Sequence, residues 1–492
     1  MILDRFPVRL GAAAILGAAA ILGAAGVFAF APFGLFWLAP LVCLGFFLLL
    51  RRAAGVREAF LAGWAFGAGF FLLGVSWVYV SLSVFGGMPS WLAGFATLLF
   101  CVALGLFPAL AAAAFKRRQP DSVVRQALFF AALMMLADWL RGWLFTGFPW
   151  LALGYSQAAP SPLAGFAPIL GVHGLGLMVA ASGALLARWR IGVPMLAALV
   201  AASFGLRQVA WTEPVGEPVS VALVQGNIPQ EMKFKPEHFV RTLLTYRDLV
   251  AANPAKLTVL PETAFPAFLD QIPSDFLDGM KRLAARQGGD LIVGAATGDR
   301  EYWNSAATFG ASPTQVYSKT HLVPFGEFIP PGFAWFMAMA NIPMSSFSRG
   351  ADVQPPFAVA GQRVAADICY EDAFGEEIIR ALPEATLLVN MSNTAWFGRS
   401  LAQPQHLQIS QMRALETGRP MLRATNTGMT AVVAPDGAVQ AVLPPFTTGV
   451  LRAEVRGYQG LTPYVRLGNW PALMAALLFL LAAFLPSRRR PA

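Results

Sequence analysis

The placing of its long apolar runs constrains this chain more than any other feature. Windows of about 20 apolar residues are long enough to cross the hydrocarbon core of a bilayer. Eight such windows lie at about 10–29, 33–50, 59–82, 90–115, 124–144, 163–187, 192–211 and 468–486, and none lies between 212 and 466. The chain therefore reads as seven membrane-crossing helices over 1–211, an extramembrane domain over 212–466, and an eighth helix with a basic tail over 467–492. Of its 492 residues, 56% are apolar and 13% charged. An ordinary soluble domain carries about 25% charged residues, so both a purely soluble protein and a disordered one are excluded. Ala31-Pro32-Phe33-Gly34 separates the first two windows and predicts a tight helical hairpin. The first window is too long for a cleaved signal peptide, no clear cleavage site ends it, and further spans follow.

Charge sets the expected orientation. Basic clusters stand before span 1 (Arg5, Arg9) and after span 2 (Arg51, Arg52, Arg57), span 4 (Lys116, Arg117, Arg118, Arg125), span 6 (Arg188, Arg190) and span 8 (Arg488, Arg489, Arg490). The alternate loops 31–34 and 84–90 have no basic residue. The positive-inside rule then puts both termini in the cytoplasm and 212–466 outside, in the periplasm of a bacterial inner membrane. Residues 212–466 carry a formal charge of −3 and the remainder +12. The net +9 thus belongs to the apolar part and is no nucleic-acid footprint. Asp138 and Arg141 stand three residues apart in span 5 and are expected to pair near the outer interface. A transporter would need such charges in several spans, and only this one offers them. The run Gly63-Trp64-Ala65-Phe66-Gly67 predicts close helix packing.

From Pro218 the pattern changes. Short β-branched runs at 219–224, 257–260, 291–293, 364–368 and 386–389 predict strands, with helices at about 237–252, 273–287 and 404–418. Further strands are expected at 421–425, 429–434, 438–443 and 449–454, with Pro435-Asp436-Gly437 as a hairpin turn. This describes an α/β domain with a mixed sheet. Cys43 and Cys101 sit inside apolar runs, Cys369 stands alone in the polar domain, and His173, His238, His321 and His406 are scattered. No metal-ligand spacing and no nucleotide-binding loop is visible, so no cofactor is expected.

Three strand ends deliver reactive groups. Glu262 follows the run 257–260, Lys319 follows Val316-Tyr317-Ser318, and Cys369 follows Asp367-Ile368. A carboxylate, a cation and a thiol at the edge of one sheet supply a base, a charge for a developing oxyanion, and a nucleophile. Each alone is an ordinary surface or core residue, and the sequence does not show that they meet.

Pro261-Glu262, Lys319 with His321-Leu322-Val323-Pro324-Phe325-Gly326-Glu327, Cys369-Tyr370-Glu371, and Asn390-Met391-Ser392-Asn393-Thr394-Ala395-Trp396-Phe397 resemble, in this order, the Glu-Lys-Cys signature of the nitrilase superfamily. Set between seven spans and one more, the domain resembles the apolipoprotein N-acyltransferase family of that superfamily. The resemblance implies an α-β-β-α sandwich, with Cys369 as nucleophile, Glu262 as general base and then acid, and Lys319 and the Tyr370 N–H as stabilisers of the tetrahedral intermediate. It makes Glu327 a second glutamate beside the triad, and Tyr370, Glu371, Asn393, Trp396 and Phe397 supporting or substrate-contacting positions. Phe234 stands where that family often has Trp, which removes an indole N–H. His321 is expected to be structural.

The same resemblance implies a phospholipid acyl donor, chiefly phosphatidylethanolamine, and a diacylated apolipoprotein acceptor, used in a ping-pong cycle by a monomer in the membrane. The apolar, proline-broken stretch 328–340, with Phe333, Trp335 and Phe336, is too short to span and is expected to face lipid as a lid, with 342–349 as its hinge. A membrane-anchored amidase with the same triad is the rival reading, and eight spans are excessive for an anchor.

Overall fold

The computed structural model describes residues 11–286, 288–330, 332 and 346–484. A helix occupies each apolar window: Ala12–Gly26, Leu38–Arg52, Val56–Gly74, Ser90–Leu104 continuing into Leu106–Arg118, Val123–Arg141, Ala167–Leu185, Trp189–Leu206 and Trp470–Phe484. Among the described residues, five helical stretches are long and apolar enough to cross a membrane by length and composition. The longest, Pro162–Leu206, contains both Ala167–Leu185 and Trp189–Leu206. A Cβ on Gly63 would stand 2.6 Å from the Pro108 carbonyl oxygen, and one on Gly67 2.6 Å from Gly105 Cα. Two helix backbones therefore touch along a face that only glycine permits, as the sequence pattern predicts.

The domain that follows has two six-stranded sheets where the sequence suggested one mixed sheet. The first runs in the order β12 (Gly449–Gly460), β1 (Thr212–Gln225), β2 (Leu257–Val259), β3 (Asp290–Gly298), β4 (Tyr302–Gly310), β5 (Val316–Ser318). The second runs β11 (Val439–Val442), β10 (Ala431–Val433), β9 (Met421–Thr425), β8 (Leu387–Ser392), β7 (Gln362–Ile368), β6 (Phe357–Val359). In each, a parallel trio (β1-β2-β3 and β7-β8-β9) is flanked by antiparallel strands. Parallel neighbours need crossover connections, so each trio carries connecting helices of its own.

Alternation along the strands makes the layers. Val219, Val221 and Leu223 of β1 join Val364 and Ile368 of β7 and Val389 of β8 in one buried cluster between the sheets. The opposite face of the first sheet packs on helices Pro236–Ala252 and Ser274–Ala285 through Leu243, Tyr246, Val250 and Met280. The opposite face of the second packs on helix Ala402–Thr417 through Leu407 and Ala414. That helix begins two residues before Pro404, not after it; a proline in the first turn sacrifices no helical hydrogen bond. Strands β4 and β6 are additions to the sequence reading. The run Asn304-Ser305-Ala306-Ala307 in β4 is too small and polar to announce a strand.

Candidate active site

The carboxyl ends of the two parallel trios face one another. A join between them is visible where the Asn227 N–H donates to the Asn426 carbonyl (2.9 Å) and the Ile228 N–H to Asn426 Oδ1 (2.9 Å). Ligand sites of open α/β sheets lie outside such carboxyl ends.

Glu262 comes from the first sheet. Leu260 extends β2 by bonding Ile292 (2.8 Å), and the chain then turns sharply at Thr263, whose φ is +47°. A Cβ on Gly294 would stand 2.7 Å from Glu262 Cα and 2.6 Å from the Thr263 nitrogen, so only glycine there lets β3 lie against this turn. Both carboxylate oxygens are engaged: Oε1 by Asn304 Nδ2 (2.8 Å) and Oε2 by the Asn393 N–H (2.8 Å).

Lys319 leaves β5 with its N–H bonded to the Asn304 carbonyl (2.8 Å). Its buried ammonium lies 2.9 Å from Glu327 and 3.6 Å from Glu262 Oε1, so Glu327 is the closer ion-pair partner. Asn304 Nδ2 also donates to Glu327 Oε1 (2.8 Å), and Glu327 Oε2 accepts the Val323 N–H (2.8 Å). Two glutamates, one lysine and one amide thus close a ring. Burial disfavours the lysine charge, but Glu327 and Glu262 outweigh it, and the Lys319 ammonium is held above its ordinary range.

Cys369 comes from the second sheet. It ends β7 with a φ of +58°, a left-handed conformation costing about 1–3 kcal/mol that the surroundings must sustain. Its carbonyl accepts from Asn390 Nδ2 (3.0 Å) and His406 Nε2 (3.1 Å). His406 Nε2 also points at Asp372 Oδ1 (2.8 Å); both partners are acceptors, so this nitrogen carries the proton. Asp372 Oδ2 accepts from Ser410 Oγ (2.6 Å) and Arg423 (3.2 Å), and Arg423 reaches Asn390 Oδ1 (2.7 Å). Burial lowers His406 toward its neutral form, with Arg423 acting the same way, and Asp372 stays ionised despite burial because His406 and Arg423 face it. The thiol itself is pushed well above its ordinary range, first by burial and then by Glu262, against the pull of Lys319. A buried thiol of this kind rests protonated and needs a base at the moment of attack.

The supporting positions of the sequence reading divide by role. Glu371 is wholly engaged in holding backbone and hydroxyl groups. It accepts the N–H groups of Thr320 (2.6 Å), His321 (3.0 Å) and Ile368 (2.7 Å), so one carboxylate fixes both the lysine loop and the cysteine turn. Tyr370 donates its hydroxyl to the Gly147 carbonyl (3.1 Å) and stacks on Trp150. Asn393 supplies its N–H to Glu262. Phe397 packs edge-on against Trp77, and Trp396 against Phe85, with the Trp396 carbonyl accepting from Ser81 (2.9 Å). Phe234 is half-buried after the one-turn helix Gln230–Lys233. His321 bonds the Thr146 carbonyl (2.9 Å) and Glu377 (3.1 Å), a structural contact. The expected pair of Asp138 and Arg141 forms at 2.8 Å and also grips the Trp150 carbonyl (2.7 Å) and the Leu153 N–H (2.8 Å). Trp335, with Phe333, Phe336 and the rest of 333–340, lies outside the described residues; of the expected lid, 328–330 and 332 are described, and the Phe325 N–H donates to the Phe328 carbonyl (2.8 Å). Of the expected hinge, residues 346–349 are described; the Phe347 N–H donates to the Glu327 carbonyl (2.9 Å) and the Ser348 N–H to the Tyr302 carbonyl (2.8 Å).

Asn390 entered the sequence reading only as the first residue of the 390–397 motif, without a role, and Asn304, Asp372, His406, Arg423 and Lys233 were missed. Asn304 offers the faint signal of a lone amide in a run of small residues; the others give none, since their roles rest on partners distant in sequence.

A glutamate, a lysine and a cysteine at facing sheet ends define an enzyme of the carbon–nitrogen hydrolase class, and residues 220–464 match the family model described as "Carbon-nitrogen hydrolase". Residues 22–185 match the "Apolipoprotein N-acyltransferase N-terminal domain". The chain is 49% identical to an apolipoprotein N-acyltransferase of Ralstonia nicotianae, over 94% of this chain and 91% of the relative. It is 51% identical to one of Nitrosomonas europaea, over 92% and 93% respectively. This chain belongs to the apolipoprotein N-acyltransferase family.

Proposed function

We propose that this protein takes an acyl chain from a membrane phospholipid, holds it as a thioester on Cys369, and passes it to the N-terminal amine of the diacylglyceryl-cysteine of an apolipoprotein. The observation that carries this reading is the convergence of Glu262, Lys319 and Cys369 in one buried site, in a chain whose family is named for the reaction. The match over residues 22–185 counts against a membrane-anchored amidase.

In the first half, Cys369 Sγ attacks the ester carbonyl carbon while Glu262 takes the thiol proton. Lys319 and the Tyr370 N–H offset the charge on the tetrahedral oxygen. The carbon–oxygen bond of the ester breaks, Glu262 returns its proton to the leaving oxygen, and lysophospholipid departs. In the second half, the acceptor amine attacks the thioester carbonyl, Glu262 accepts the amine proton, and the thiolate leaves and is reprotonated. Thioesters react far more readily with amines than oxygen esters do, which suits a cysteine to this work. Glu327 fixes Lys319, and Asn304 links Glu327 to Glu262.

The finer arrangement is part of the same proposal. Eight helices cross the inner membrane with both termini cytoplasmic, and 212–466 forms a periplasmic α-β-β-α sandwich, supported by the three apolar clusters between and outside the sheets. Phosphatidylethanolamine is the donor and the enzyme acts as a monomer. A single-turnover assay tests the chemistry. Mixed with phosphatidylethanolamine and no acceptor, the wild type releases one equivalent of lysophospholipid, and Cys369→Ala releases none. Full release by Cys369→Ala would refute the thioester.

A further inference from the structure

The cycle asks Glu262 to accept a proton and return it in both halves, so the turn beneath its carboxylate has to stay in place throughout. One short element touches that turn from two directions. This is the one-turn helix Gln230–Lys233, which has no reactive role in the scheme above. On one side the buried Lys233 Nζ donates to the Glu262 carbonyl (3.1 Å) and to Thr263 Oγ1 (2.7 Å). On the other, Gln230 Oε1 accepts from Asn393 Nδ2 (2.8 Å), and the Asn393 N–H donates to Glu262 Oε2 (2.8 Å). The carboxylate and the carbonyl of a single residue are thus both tied to four consecutive positions of chain.

Two further features give this contact weight. Thr263 holds a left-handed backbone, φ +47°, which is rare for a β-branched residue and needs outside support. Lys233 supplies that support from a buried position where its bonded partners are a carbonyl and a hydroxyl, both uncharged. Burying an ammonium among neutral groups is costly. Burial pulls Lys233 down to about 7, against Glu262 and Cys369, which favour its charge. An apolar side chain would fill the same space more cheaply, so packing alone does not account for a lysine here.

We propose that Lys233 is a positioning residue for the acyl-transfer reaction: with Gln230 it forms a brace that locks the Glu262–Thr263 turn and keeps the carboxylate aimed at Cys369. The proposal rests on the assignment of Glu262 as the base. Lys233 acts through Thr263, so the hydroxyl of Thr263 is part of the brace and its methyl group is not.

The test measures the burst of lysophospholipid per folded molecule, using the full chain in detergent micelles with phosphatidylethanolamine. The variants are Lys233→Met, Thr263→Val, Thr263→Ser, the Lys233→Met/Thr263→Val double, and Glu262→Gln. Misplacing a reacting group by about 1 Å costs up to ~10²-fold. Lys233→Met is therefore expected to slow the burst ~10- to 100-fold, with KM for the donor within about twofold. Thr263→Val loses less in the same direction, and Thr263→Ser, which keeps the hydroxyl, recovers the wild-type rate. The double variant is no more than about twofold slower than Lys233→Met, because the two groups act as one. A merely structural lysine would lower thermal stability and leave the rate per folded molecule unchanged. Wild-type bursts from Lys233→Met and Thr263→Val, multiplicative losses in the double variant, or a Thr263→Ser as slow as Thr263→Val would overturn the brace. If Lys233→Met fails to fold, the two Thr263 variants decide the question alone. A wild type with no burst, or Glu262→Gln as fast as wild type, overturns the assignment of the base and the brace with it.

Discussion

Glu262 and Cys369 both leave the ends of strands in parallel trios, from two sheets built to the same plan, yet their surroundings differ in kind. The glutamate is held from within the globular domain, by Asn304, Asn393 and Lys233. The cysteine sits on a buried polar network of the ionised Asp372, Arg423 and His406, the last lowered toward its neutral form, and that half of the domain is fastened to the apolar helices. Tyr370 bonds Gly147, Tyr155 bonds the Ala373 carbonyl (3.1 Å), Trp150 bonds Gln405 (2.8 Å), and the Val172 N–H bonds Glu416 (2.8 Å). On the first-sheet side, the lysine loop makes such a bond through His321 and Thr146. The nucleophile is thereby fixed relative to the helical segment, and the base is fixed relative to the nucleophile. Substitutions on the two sides should consequently fail differently.

At the base itself the loss should be chiefly kinetic. Glu262→Gln keeps the shape but cannot take the thiol proton, and its NH2 replaces one accepting oxygen with a donor facing Asn304 Nδ2 or the Asn393 N–H. It is expected to lower the acylation rate ~10²–10⁴-fold, with a fall in melting temperature smaller than that of Asp372→Ala. Lys319→Ala removes one stabilising charge from the oxyanion, worth ~10²–10³ in rate, and also leaves Glu327 and Glu262 buried without their cation, so stability falls with it. Stopped-flow release of lysophospholipid, normalised to folded protein, checks both. On the nucleophile side the loss should fall on folding and rate together. Asp372→Ala strips the partner from a buried arginine and histidine, and breaking such a pair costs about 3–5 kcal/mol. Thermal melting in detergent should show a large drop. An Asp372→Ala chain that melts like wild type would erase the contrast between the halves.

Smaller effects sharpen the same contrast. Tyr370→Phe gives up the bond to Gly147 and keeps the stacking on Trp150, so about 0.5–1.5 kcal/mol of stability is expected to go, read as a modest fall in melting temperature. Lys233 yields a pH effect. Its ordinary value of 10.5 falls to about 7 in the folded protein. Between those values the unfolded chain binds the extra proton, so this group makes stability rise as pH increases from about 7 toward 10.5. Melting temperature against pH should therefore climb more steeply in wild type than in Lys233→Met, and parallel curves would contradict the shift.

Much of this was legible in the sequence where the signal is local. Strand β9 falls on 421–425 as the sequence reading expects, and Glu262, Lys319 and Cys369 stand out because apolar strands end in reactive groups there. What stayed hidden depends on contacts across long sequence separations. His406 looks like a stray histidine until it is seen beneath Cys369, 37 residues away. Helix Ala402–Thr417 looks like a polar surface helix, but Gln405 is buried between the Trp77 and Trp150 indoles and the Gly74 carbonyl. Lys233 reads as one more basic residue, because nothing in its neighbours announces that the turn after β2 will close over it. β4 was missed because Asn304-Ser305-Ala306-Ala307 is too small and polar to announce a strand, and the role of Asn304 rests on Glu262 and Glu327, 42 and 23 residues away.

The central claim is that the two halves meet in a covalent intermediate at Cys369. Intact-mass analysis of the protein after incubation with phosphatidylethanolamine, without acceptor, tests it most directly. Wild type should gain the mass of one acyl group, lost on treatment with neutral hydroxylamine and mapped by digestion to Cys369, while Glu262→Gln stays at its unmodified mass over the same interval. An acyl adduct mapping to another residue, or wild-type enzyme that acylates apolipoprotein with no such adduct at any time, would contradict it.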